Sequence, residues 1–119
     1  MKHDFPDVPR SFSPLGDISL RDVGWIDLDA EEQVTFRFAE GMTNDVVRKD
    51  WGFYLTNSLN ANLTAKGFKT ALVVSYASDP PRTYINVVAV SRMAEFEVYL
   101  EKYSARVVTW LDEWFAAKA

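Results

Sequence analysis

A chain of 119 residues has room for one core, and with 48% apolar and 25% charged residues it has the balance of a folded chain rather than a disordered one. Its formal charge of −4 supplies no basic field to attract nucleic acid or an anionic membrane. The absence of cysteine removes disulfides, thiolate nucleophiles and Cys-type metal sites in one step.

No apolar run approaches the ~20 residues needed to cross a bilayer. The first 16 residues carry prolines and acids where an export signal needs an apolar stretch. The expectation is a cytoplasmic protein that binds neither nucleic acid nor membrane. Residues 1–16 hold three of the five prolines and predict an irregular N-terminal arm. Phe5, Val8, Phe12 and Leu15 would lay that arm on a single domain spanning 17–119.

Next come "ISLRDVGWIDL" and "QVTFRFAE", which flank the acidic turn "DAEE". Val34, Phe36 and Phe38 alternate with Thr35 and Arg37, the pattern of a half-buried strand, and the two segments predict a hairpin. Gly24 marks a candidate bulge in the first of them. The polar stretch "EGMTNDVVRKD" reads as a loop, and "WGFYL" as a strand. From Ser58 to Gly67 two readings compete. A strand continuing from Trp51 to Leu63 would run to about 13 residues, beyond the usual length. A short helix instead has Asn57 or Ser58 as its cap and Gly67 as its stop, so helix is preferred.

"FKTALVVSY" and "TYINVVAV" are β-branched and aromatic, with the prolines of "ASDPPR" between them, and predict an antiparallel hairpin. From Ser91 onward the periodicity predicts one long helix reaching about Ala117, with Ser91 as cap. Its stripe is Phe96, Leu100, Tyr103, Val107, Leu111 and Trp114. The predicted order is β-β-β-α-β-β-α. This is an α+β fold: an antiparallel sheet of about five strands, with a short middle helix and a long C-terminal helix on one face. The last five elements resemble a ferredoxin-like unit lacking its final strand, a likeness of element order that licenses no function.

Such a helix would be about 39 Å long at its fixed rise per residue. Strands of eight residues span only about 26 Å. The end carrying Trp110, Trp114 and Phe115 would therefore overhang the sheet. Val108 and Phe115 add a second apolar edge. Val108, Trp110, Trp114 and Phe115 thus become candidate interface residues of a homodimer.

The sequence offers little chemistry. His3 is the only histidine, "DLDAEE" lacks the glycine-centred loop of a calcium site, and no glycine-rich phosphate loop occurs. Neither a metal nor a cofactor is expected. Asn86 stands mid-strand, where a buried amide must find partners. Tyr54, Asn57, Asn86 and Arg92 could meet at one end of the sheet as a small ligand-binding pocket. Asn60 and Asn62 would face solvent. The expectation is a non-catalytic binding or interaction module, acting as a homodimer on a protein partner or small-molecule ligand. The alternative is a small cofactor-free enzyme or accessory subunit with a polar pocket between sheet and long helix.

Overall fold

The structure is a computed structural model and describes residues 1–14 and 16–115. Leu15 of the expected arm and residues 116 and 117 of the expected helix lie outside the described residues. The chain forms two compact units, one of Met1–Val34 with Val46–Tyr54, the other of Thr35–Asp45 with Leu55–Ala119.

In the first unit, β1 (Lys2–Asp4), β2 (Arg10–Phe12), β3 (Leu20–Asp22) and β4 (Trp25–Asp27) form two small antiparallel sheets. β1 lies against β4 with Lys2 opposite Asp27, and β2 against β3 with Arg10 opposite Asp22. The first 16 residues therefore hold two strands beside irregular backbone. Gly24, between β3 and β4, has φ +138°, and Asp22 Oδ1 accepts its amide at 3.0 Å. A Cβ there would run into the Asp4 carbonyl oxygen and the Phe5 ring, so only glycine fits.

The expected hairpin between 18–28 and 33–40 does not form. β5 (Gln33–Ala39) pairs instead with β6 (Met42–Lys49), and β7 (Gly52–Leu55) completes a sheet of order β5-β6-β7. Two-residue connections join these strands, which only antiparallel neighbours allow. β6 replaces the expected loop. Asn44 and Asp45 are poor strand formers, but in the second unit Asp45 is held twice. Its carboxylate accepts Thr35 Oγ1 at 2.6 Å, and its amide donates to Asn57 Oδ1 at 3.1 Å.

The second unit continues with α1 (Asn62–Ala65), β8 (Phe68–Ser75), β9 (Arg82–Ala89), α2 (Met93–Lys102) and β10 (Ala105–Trp110). Ser58 Oγ accepts the Asn62 amide at 2.8 Å, and Gly67 at φ +94° turns the chain out of α1. β8 and β9 form the expected hairpin, with Phe68 opposite Ala89 and Ser75 opposite Arg82. β8 is the centre of the sheet β10-β8-β9 and is buried on both faces. On one side Leu63, Phe68 and Ala89 form a core, joined by Met42, Leu59 and Val87.

The predicted five-stranded sheet beneath a long C-terminal helix is overturned. The described residues are mostly strand, in four small sheets, and α2 is the only α-helix longer than four residues. α2 spans ten residues, about 15 Å, so no helical end overhangs a sheet. Its cap is not Ser91 either: a 3₁₀ turn, Val90–Arg92, leads in, and no side chain caps α2. Phe96 and Leu100 turn inward as expected, joined by Met93, but Ser104 at φ +51° ends the stripe. Two bonds hold the chain reversal. Ser104 C=O accepts the Tyr76 amide at 2.9 Å, and Tyr103 C=O accepts Ser75 Oγ at 3.2 Å. The chain then returns as β10, antiparallel to β8. "ARVVTW" satisfies a strand as well as a helix, because its branched residues favour the pleat and β8 needs a second neighbour.

β10 ends at Trp110, opposite Ala71, and the chain enters a 3₁₀ turn, Leu111–Glu113. There Asp112 Oδ1 accepts the Thr70 amide at 2.9 Å while Oδ2 pairs with Lys69 Nζ at 2.9 Å. Glu113 binds the same ammonium at 2.8 Å. Burial pushes the Asp112 carboxyl up, but Lys69 and the Thr70 amide outweigh it and hold it below the ordinary 3.8. Among the described residues no helix is long and apolar enough to cross a membrane.

Two measurements check this account. Ser104→Gly is expected to raise stability by about 0.5–1 kcal/mol in urea unfolding, because glycine accepts the left-handed conformation without strain. In a continuous helix the same change would cost about 1 kcal/mol, so a loss of stability would restore the helix. Asp112 is ionised in the fold at a lower pH than when unfolded. Its contribution is therefore whole above the unfolded value of 3.8 and is lost as pH falls below it toward the folded value. The acid limb of a stability–pH curve should be flatter in Asp112→Asn than in the parent.

Candidate functional site

The ladder between β8 and β9 determines which backbone groups remain open. Val90 N–H donates to Gly67 C=O at 2.9 Å. Bonded pairs recur every second residue in an antiparallel ladder, so Val88, Asn86 and Tyr84 turn their amides and carbonyls toward β8. Thr83, Ile85, Val87 and Ala89 turn theirs away. Among the described residues the sheet order β10-β8-β9 puts no strand on that side, so β9 carries an open hydrogen-bonding edge as far as Val87, Ala89 being buried.

β10 forms the opposite edge and is built differently. Its register to β8 shifts between Val107 and Thr109, which leaves Val108 as an extra, exposed residue. A bulge of this kind bends an edge and spoils it as a template for another strand. β9 keeps one register over its eight residues and contains neither proline nor lysine. The bare edge is β9.

An open groove of about 540 Å³ runs beside the C-terminal half of β9, lined by Asn86 through Ala89. Phe38 stands on one side of it, where its ring also meets Phe68 edge-on at 6.2 Å. Phe96 and Tyr99 stand on the other, with Arg92 and Glu95 beside them. The Arg92 guanidinium lies 3.2 Å from Glu95, and both side chains are exposed. The backbone amide of Glu95, and then Arg92, hold the Glu95 carboxyl below its usual range. The groove is thus apolar-walled, with one neutralised ion pair at its rim. Phe96 also leans edge-on against Trp110 at 6.2 Å, which fixes the wall to the sheet beneath.

Of the residues expected to form a pocket, Asn86 and Arg92 meet in this groove. Asn57 does not line it. Asn57 is buried, and its Oδ1 accepts the Asp45 amide and, at 3.3 Å, the Thr56 hydroxyl. Tyr54 belongs to the other compact unit, where it stacks on Trp51 at 5.9 Å. Of the expected interface residues, Trp110 is half-buried beneath Lys69. Val108, Trp114 and Phe115 are exposed, and the rings of the last two lie 6.4 Å apart.

Phe38, Phe96 and Tyr99 were not singled out by sequence as groove residues. Phe38 carried only a strand signal, Phe96 only a helix stripe, and Tyr99 only a place at the margin of that stripe. Among the described residues no three His, Cys, Asp or Glu side chains gather as a metal site. No protein-family model matches the chain, and neither a curated protein nor a solved structure matches it significantly.

The role of Asn57 can be measured. Asn57→Ala would leave the Asp45 amide without its acceptor, at a cost of about 1–3 kcal/mol in denaturant unfolding. A neutral substitution would show that the asparagine is not needed by the fold.

Proposed function

We propose that the protein is a non-catalytic interaction module of the cytoplasm that works as a homodimer and engages a protein partner through rings held in the open. The observation that carries this reading is the placement of its aromatics. Among the described residues the buried hydrophobics are Leu28, Leu63, Phe68, Ala71, Val73, Val88 and Ala89, with a single ring among them. Trp51 and Phe53 are 70% and 67% exposed. Large rings dominate the energetics of protein interfaces, and exposed groups of them mark interaction sites.

The groove beside β9 favours binding over catalysis. It is open along its length, whereas an enzyme of this residue set would need a closed site to desolvate its acids and bases. Arg92 and Glu95 there are exposed and neutralise one another. The one deeply buried carboxylate described above, Asp112, is committed to Lys69 and the Thr70 amide.

Two experiments test the reading. Sedimentation at micromolar concentration should give a dimer, and a monomer at high micromolar concentration would remove self-association. If Trp51 and Phe53 are held for a partner rather than for the fold, replacing both by serine should change unfolding free energy by less than about 1 kcal/mol. A larger loss would make them structural and end the argument from exposed rings.

A further inference from the structure

We propose that two copies of this chain pair through their β9 edges, antiparallel about a two-fold axis at Asn86, making one continuous six-stranded sheet. The inference deepens the homodimer reading above and rests on it; what it adds is the seam.

The backbone supplies the first argument. An open edge of amides and carbonyls invites another strand, and antiparallel pairing of an edge with itself is the isologous contact that closes a dimer. A two-fold axis at Asn86 sets Ile85 opposite Val87 of the second copy and Thr83 opposite its Ala89. Ile85 and Val87 turn their backbone groups outward and are not buried, so each of their two pairs exchanges two hydrogen bonds, while Ala89, 5% exposed, marks the end of the open edge.

The side chains supply the second, and they select a second copy over an unrelated peptide. The two halves of β9 complement each other. Its N-terminal half leaves Tyr84 and Ile85 53% and 54% exposed. Its C-terminal half, with Val88 and Ala89 buried, lies in the apolar-walled groove. Antiparallel pairing lays the half that needs cover into the half that offers it. Ile85 of one copy lands beside Val87 of the other, on the face that Phe38 flanks. Tyr84 lands beside Val88, on the face of Phe96 and Tyr99. Its hydroxyl end then arrives near Arg92 and Glu95, which gives a buried phenol polar neighbours. The bulge at Val108 leaves β10 no comparable edge. Such a seam is at the small end of specific interfaces, on the order of 1,000 Å² in total, so a micromolar dissociation constant is expected.

The chain has no cysteine of its own, which makes the seam directly readable. Asn86 faces its own counterpart in a non-hydrogen-bonded pair, where Cα atoms lie about 4.5 Å apart, within the span a disulfide bridges. Asn86→Cys, oxidised in dilute solution, should give a covalent dimer, whereas Val108→Cys should not. Ile85→Lys places a charge against the Phe38 wall and should weaken sedimentation-measured dimerisation at least about tenfold. Val108→Lys should leave it unchanged, with circular dichroism confirming that both variants fold. A chain that sediments as a dimer, yet neither crosslinks through Asn86→Cys nor responds to Ile85→Lys, overturns the seam and leaves the homodimer standing. A chain that is monomeric at high micromolar concentration overturns both.

Discussion

Thr70 sits in a strand buried on both faces, and its amide must find an acceptor without help from water. β9 serves the alternate residues of β8, and β10 serves the others, until β10 stops at Trp110 one position short of Thr70. Asp112 takes over the missing place with a side-chain oxygen. A carboxylate brought this far inside needs a counter-ion, and Lys69 provides it from the neighbouring position of the same strand. The return of the chain after α2, the end of β10 and the path of the last described residues all follow from completing β8. The Thr70 hydroxyl itself finds no partner, so the backbone amide is what the arrangement serves.

That requirement separates what could be read in the sequence from what could not. The β8–β9 hairpin was legible because β-branched and aromatic residues predominate on both sides of a proline-containing turn. The ten residues of α2 were legible from Phe96, Leu100 and the position of Tyr103 just beyond. After Tyr103 the same reasoning failed, because Val107, Leu111 and Trp114 keep a helical spacing by coincidence with a strand. The helix stop is a serine at positive φ, where a glycine would have announced it. β6 was hidden by Asn44 and Asp45; Thr35 and Asn57, residues remote in the chain, meet the cost of Asp45, while Asn44 Oδ1 is buried without a partner.

The candidate site was legible only in part. Asn86 and Arg92 do share a groove, since both lie near the join of β9 and α2. Asn57 was drawn to it by residue type, and the fold uses that side chain elsewhere. No local pattern could place Phe38 at the groove, because its position depends on which strand β5 pairs with. Whether a strand is an edge is a property of sheet order, and the two outer strands of this sheet differ. One carries a bulge; the other is straight and apolar-flanked.

The latch at Asp112 also shapes how the molecule breathes. Thr70 is among the most deeply buried residues described, yet its amide is guarded by a three-residue turn near the far end of the chain rather than by a ladder. Local fraying of that turn would uncover the amide while the β8–β9 pairing persists. In deuterated water Thr70 would then exchange through a small opening, ahead of Ala71 and Val73 beside it.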